Sequence, residues 1–344
     1  MLQGLRAAAK HGYAMARRLT GTTRLTHEQW ALLALMRVDN SVAEPQYRPG
    51  PGRGWQKLVT EFEDQFHIEG IGAVETQLYN ARFSSFAPDS PAYYQFATFQ
   101  LYQMLRQHDR WGAFERLKAT QRVGVAAGRH VLVYDDTVLT WDVLISLHSL
   151  FAIAEYAPQV FVGPVALLDL GGGWGRLGNV LLRVNPSAVY IDADLPETLL
   201  IAESYLPSTL PGIDVYGYAF HRKSREIFRA ALLKQPGAHF IGSHMLQMIE
   251  DRAIDLFVNI ASFQEMTNEQ VDAYFDVIDR VTSGHLYLQQ LALSNPKCGF
   301  SVKGEDYYPF RPNWSRCFVR PCPHIPHQFE AMFATRALNP AGGV

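Results

Sequence analysis

The chain has 344 residues, 48% hydrophobic and 19% charged, which is ordinary for a globular protein and long enough for about two domains. A formal net charge of -2 gives no overall pull toward nucleic acid, and no apolar run reaches the roughly 18 residues that a membrane-spanning helix needs. The three cysteines, Cys298, Cys317 and Cys322, are an odd set that argues against a disulfide framework and for a reducing, cytoplasmic compartment.

The chain opens on a basic segment. Residues 1–27 contain no acid but carry Arg6, Lys10, Arg17, Arg18 and Arg24. They read as a basic amphipathic helix without the apolar core or cleavage site of a secretory signal. Its basic face suits either solvent or peripheral contact with an anionic membrane surface. Thr26 and Gln29 are spaced as a capping box for a helix over 26–38. Glu44 to Gly54, with three prolines and three glycines, breaks regular structure. Tyr79, Asn80, Arg82 and Phe83 form a mixed polar and aromatic cluster. Ser90-Pro91 then starts a helix whose face is Tyr94, Ala97, Leu101, Met104 and Leu105. Another begins at Thr140 and Asp142, with Leu144, Leu147, Phe151 and Ala154 as its stripe.

The texture changes near residue 164. Val165 to Leu170 is a short apolar strand that runs into Gly171-Gly172-Gly173-Trp174-Gly175. Leu177, Val180, Leu181 and Val184 follow at helical spacing. Strands are predicted at 188–191, 239–242, 254–260 and 286–291. Helices run from Pro196 to about Leu206 and from the Thr267–Gln270 capping box to Gly284. Apolar strands alternating with amphipathic helices predict an α/β fold, a doubly wound and mostly parallel sheet covered on both faces. The expected organisation is a basic helical arm over 1–45, a mostly helical cap or acceptor region over 46–160, the α/β domain over 161–295 and a C-terminal extension over 296–344.

In an open parallel sheet, ligands bind beyond the carboxyl ends of the strands, where the glycine run should lie. Glycines there let a ligand approach the backbone, and the following helix start offers free N–H groups. Two cofactor classes fit. Gly173-Trp174-Gly175-Arg176-Leu177-Gly178 is a literal G-x-G-x-x-G, the dinucleotide fingerprint of an NAD(P)-dependent oxidoreductase. Asp169, ahead of the glycines, has a task if the cofactor carries an ammonium group, and less of one beside a pyrophosphate. Asp192 or Asp194 could hold a ribose in either case.

Three segments carry a more specific resemblance: Asp169 to Gly175, Asp194-Leu195-Pro196-Glu197, and Asn259 through Ser262-Phe263-Gln264-Glu265-Met266. Over about 140–295 the chain resembles the class I S-adenosylmethionine-dependent methyltransferases, and more narrowly a family of bacterial sugar O-methyltransferases. The resemblance implies a Rossmann-like fold with S-adenosyl-L-methionine as cofactor, and methyl transfer to a hydroxyl of a sugar or glycoconjugate. The cofactor candidates are Asp169, Gly171, Gly172, Gly173, Trp174, Gly175, Asp192, Asp194, His244, Met245 and Asn259. Glu265 is the first candidate for a general base, since its neighbours Phe263 and Met266 are apolar and should raise its pKa; His244 is the second. Ser262, Tyr307, Tyr308 and Trp314 are acceptor candidates, the rings because sugar C–H faces stack on them. For the aromatic run Tyr307, Tyr308, Phe310 and Trp314 the alternative is packing of the tail onto the sheet. The partner is a small-molecule or glycan acceptor, and a homo-oligomer is compatible with the sequence. A catalytically silent cofactor-binding scaffold is the third reading. The reaction calls for no metal, although Cys317, Cys322, His324 and His327 could be read as a zinc cluster in a proline-stiffened tail.

Overall fold

The computed structural model describes residues 25–47, 91–120, 132–135, 137–210, 212–223, 234–292, 307–325 and 327–336. The basic segment before residue 25, the 79–83 cluster, most of the Glu44–Gly54 break, Ser90 and Cys298 lie outside these residues.

Helix α1 spans His27–Val42 and starts at the expected capping box, with both reciprocal bonds between Thr26 and Gln29 formed. Helices α2 (Pro91–His108), α3 (Ala113–Ala119) and α4 (Trp141–Ala154) follow. Thr140 caps α4 by accepting from the Val143 N–H. Twelve of the fourteen residues of α4 are buried, which exceeds the single stripe that the spacing suggested. The helix is enclosed between α2 and α5 (Arg176–Val184). From α3, Arg116 donates to the carbonyls of Phe161 and Val184 at 2.7 Å each, clamping the helical region to the sheet layer. A short hairpin, β1 (Leu132–Tyr134) and β2 (Thr137–Leu139), lies apart from the main sheet.

The main sheet has eight strands in the order β5-β6-β4-β3-β7-β8-β10-β9. They are β3 (Ala166–Leu170), β4 (Val189–Asp194), β5 (Val215–Tyr216), β6 (Gly237–Gly242), β7 (Ile254–Ile260), β8 (Thr282–Leu291), β9 (Ser315–Pro321) and β10 (Gln328–Ala334). From β5 to β8 every pair is parallel; β10 runs antiparallel to both β8 and β9. Every residue of β3 and β4 is buried, as expected of parallel strands with both faces covered. The chain steps from β3 to β4, crosses to the edge at β5, fills in β6 between β5 and β4, and then returns to add β7 on the other side of β3. That reversal opens a crevice at the carboxyl ends of β3 and β7. The remaining helices are α6 (Pro196–Thr209), α7 (Tyr218–Lys223) and α8 (Asn268–Val281), the last on the expected Thr267–Gln270 capping box.

Two expectations are corrected. Gly284 does not end α8: the helix stops at Val281 and the strand starts at Thr282, so Gly284 is a strand residue. A Cβ there would collide with the Asp255 carbonyl on the neighbouring strand, which explains the glycine. The segment after 295 is not an appendage, because β9 and β10 complete the sheet across the expected boundary. Their register pairs Glu330 with Gln289 and Arg320. Among the described residues, no helix is long and apolar enough to cross a membrane.

Candidate cofactor and catalytic site

The glycine run leaves β3 at Leu170 and reaches α5 through three left-handed residues, Gly171, Gly173 and Gly175. Two of its glycines are required by close approach. At Gly171 (φ 77°) a Cβ would overlap the Ser262 side chain, and at Gly172 it would stand 2.7 Å from both the Asp192 carboxylate and the Tyr190 hydroxyl. The loop is therefore packed against the end of β7 on one side and the floor of β4 on the other. Gly173 has open space around its Cβ position. Trp174 packs edge-on against Tyr205 of α6 at 5.1 Å, on the flank of the loop.

Beneath the loop lie three buried carboxyl groups. The parallel register sets Asp169 of β3 directly beside Asp192 of β4, and Asp194 and Tyr190 share the face of Asp192. Asp169 accepts from the Tyr190 hydroxyl at 3.1 Å. Burial pushes its carboxyl up to about 7, against the opposing pull of that bond and of Arg176. Asp194 holds the loop: one oxygen accepts from the Gly173 N–H and the other from the Leu195 N–H, each at 2.6 Å. Burial still pushes it up to about 6. Neither oxygen of Asp192 has a hydrogen-bond partner. Burial, then the neighbouring Asp194 and Asp169, hold its carboxyl well above the usual range.

The run after β7 divides its residues between structure and crevice. Ala261 takes a left-handed φ of 60° and presents Ser262 to Gly171. Such strain in a non-glycine residue is common where a side chain must be aimed. Phe263 is fully buried. Gln264 accepts from the Leu291 N–H at 2.9 Å and so ties the turn to the end of β8. Glu265 is mostly buried, and its carboxyl is pushed up to about 8 by burial and then by Asp194. The direction is the one its apolar neighbours suggest.

Asn259 is a tie between loops. Its amide donates to the Leu170 carbonyl at 2.7 Å and accepts from the Phe263 N–H and the Gln290 side chain, at 3.0 and 2.6 Å. These bonds fix the ends of β3, β7 and β8 to one another. Met245 is buried among core residues. His244, by contrast, lines a small pocket with Asp194, Pro196, Leu199, Tyr218 and Gly242, and burial lowers its pKa so that the ring is neutral. Two further lining residues, Met36 and Asn40, come from α1. Nothing in their local sequence signals this, because their placement depends on long-range ties. Arg37 bonds Glu197 at 2.9 Å, and Asp39 accepts from the Tyr218 hydroxyl and from Arg222 at 2.8 and 2.5 Å.

The aromatic tail packs on the core. Tyr308 is buried against Phe263, Phe275 and Phe329, and Trp314 stacks on Phe275 while donating to Asp279. Neither ring forms an acceptor wall; the apolar faces of α8 and β10 needed covering. Tyr307 is partly buried beside them. The Cys317, Cys322, His324, His327 set is not one cluster either. Cys317 faces the Ser315 carbonyl, and Cys322 instead meets His148 and Glu330.

No family model matches the chain, and no curated protein matches it. Among solved structures it is similar to magnesium protoporphyrin IX methyltransferase from Synechocystis PCC 6803 with bound SAH. The identity is 12% over 69% of this chain and 100% of that one, with a TM-score of 0.39. It is also similar to the pyocyanin biosynthetic protein PhzM, at 14% identity over 56% of each chain and a TM-score of 0.37. The mitomycin 7-O-methyltransferase MmcR shows 10% identity over 84% of this chain and 74% of that one, with a TM-score of 0.35. These scores are all below 0.5, so the chemistry of the site stands on its own geometry.

The unpartnered Asp192 gives a direct test of the buried charge. Its folded pKa is raised, so the folded state keeps a proton that the unfolded chain releases above about pH 4. The unfolded state then binds fewer protons and stability falls as pH rises. Asp192→Asn removes this loss. Without ligand, its melting temperature should exceed that of the wild type, by a margin that widens from pH 5 to pH 8. A margin that is flat across that range would contradict the assignment.

Proposed function

We propose that the chain is an S-adenosylmethionine-dependent O-methyltransferase acting on a hydroxyl of a sugar or glycoconjugate. The observation that carries the cofactor class is the sign of the charge around the glycine loop. Asp169, Asp192, Asp194 and Glu265 gather there, and burial first, then neighbouring carboxyls, raise the pKa of each. A pyrophosphate would add more of the same sign. A ligand bearing an ammonium and a sulfonium group relieves it.

The residues fit such a ligand. The open side of Gly173 and the N-terminus of α5 would take its carboxylate. Asp169 would face its ammonium group and Asp194 its ribose, and its base would lie toward His244, where the closed pocket lined by Met36 and Asn40 must open to admit it. When bound, the cofactor supplies a methyl group on sulfur, which passes to the acceptor oxygen as the carbon–sulfur bond breaks and its electron pair stays on sulfur. Glu265 would remove the acceptor's proton, and the nearby positive charge would bring its pKa down from about 8 toward neutrality. Ser262, held against Gly171 by the strained Ala261, would orient the hydroxyl. The sugar class rests on the Ser262–Met266 run and on this pairing of a hydroxyl with a carboxylate, which suits a weakly acidic alcohol.

Two measurements test the proposal. S-adenosylhomocysteine at about 100 times its Kd should stabilise the fold by about 2.7 kcal/mol, whereas NAD(H) and NADP(H) should not shift the melting temperature. Stabilisation by a nicotinamide dinucleotide alone would overturn the cofactor assignment. With an accepted hydroxyl substrate, Glu265→Gln should lower kcat by about 10²–10⁴-fold while leaving cofactor affinity nearly level. Weaker cofactor binding with turnover intact at saturation would make Glu265 a binding residue instead.

A further inference from the structure

A second cluster of reactive side chains lies away from the glycine loop, where β9 and β10 meet α4. Cys322 follows β9, Glu330 is in β10 and His148 is in α4; all three are buried. Their donor atoms, one sulfur, one nitrogen and one oxygen, lie within 4.8 Å of one another. His148 Nε2 and Glu330 Oε2 are 2.9 Å apart. We propose that His148, Cys322 and Glu330 bind a divalent zinc ion.

The donor set selects the metal. A thiolate, an imidazole and a carboxylate suit a borderline-soft ion, whereas magnesium and calcium want oxygen alone. In a tetrahedral site with bonds of about 2.0–2.1 Å to nitrogen and oxygen, those two atoms stand about 3.3 Å apart. The present 2.9 Å needs only a small opening, with the ion taking the place of the proton between them. The carboxylate is already oriented as a ligand should be. Glu330 Oε2 also accepts from the Tyr287 hydroxyl at 3.0 Å, and Oε1 accepts from Arg320 at 2.5 Å. Charge closes as well: a thiolate and a carboxylate balance the ion, while Arg320 is shared with Glu155 on the surface.

Three protein donors leave one position for water, the pattern of an exchangeable rather than a sealed site. An open pocket lies beside it. The His324 ring meets that of His148 edge-on at 4.4 Å, and His324 also lines an open pocket of about 360 Å³ with Trp141, Leu101 and Met104.

The test uses the full-length protein, stripped with a chelator and then dialysed against zinc or cobalt(II). We expect about one zinc per chain. The cobalt form should show the thiolate-to-metal charge-transfer absorption of a cysteine-ligated tetrahedral ion. Cys322→Ser should abolish that absorption, and Cys317→Ser and Cys298→Ser should keep it. Should Cys322→Ser fail to fold, retention of the band in a Cys298→Ser, Cys317→Ser double variant assigns it to Cys322 without that protein. Zinc well below one per chain, a cobalt spectrum without the thiolate band, or a band lost with Cys317 or Cys298 would overturn the proposal. These readouts need no methyl transfer, so they stand or fall apart from the proposed activity.

Discussion

The candidate site depends on burying three aspartates beneath a loop made mostly of glycine. The parallel register between β3 and β4 places Asp169 beside Asp192, and the strand period brings Asp194 to the same face. Once these carboxyls are fixed there, the loop above them is constrained. Gly172 must lack a Cβ because Asp192 and Tyr190 occupy that space, and Gly173 is held by its N–H to Asp194. A fold optimised only for stability would not keep Asp192, whose oxygens find no partner. An unpartnered buried carboxyl of this kind weakens the folded state, and groups so perturbed cluster at functional sites.

The other elements converge on that loop from a distance. Asn259 links the ends of β3, β7 and β8, so the turn carrying Ser262 and Glu265 cannot move independently of the glycine run. Helix α1, more than 120 residues before the loop, reaches the same place through Arg37 and Asp39 and covers the pocket between Asp194 and His244. The site is thus assembled from segments far apart in the chain, although its acidic floor comes from two adjacent strands.

Local rules in the sequence reveal the parts of this structure that are themselves local. Both capping boxes, Thr26–Gln29 and Thr267–Gln270, formed as their spacing predicts, and the buried β3, β4 and β7 read as apolar runs. The glycine run and its acids were legible because their chemistry is unusual at any position. Features set by tertiary partners were not. Strands β9 and β10 flank a proline-rich turn, and only the pairing of β10 with β8, and of β9 with β10, makes them part of the sheet. Asn259 has the composition of a ligand-binding residue, but its amide is engaged by three bonds, to Leu170, Phe263 and Gln290. Tyr308 and Trp314 carry the same ambiguity between stacking a sugar and filling a core, and both pack on the buried apolar face of α8 at Phe275. The pairing of His148 with Cys322 and Glu330 spans more than 170 residues, so no spacing motif could show it.

The central claim is that the site is built for a cation, and proton release on binding tests it most directly. Calorimetry of S-adenosylmethionine binding near pH 7, in buffers of different ionisation enthalpy, counts the protons exchanged. Asp194, Asp169 and Glu265, with pKa values of about 6, 7 and 8, are then partly protonated. A bound cation favours their ionised forms, so protons should leave, affinity should rise from pH 6 to pH 8, and the release should exceed that with the uncharged-sulfur product S-adenosylhomocysteine. Proton uptake on binding, or affinity that is level across that range, would contradict the account.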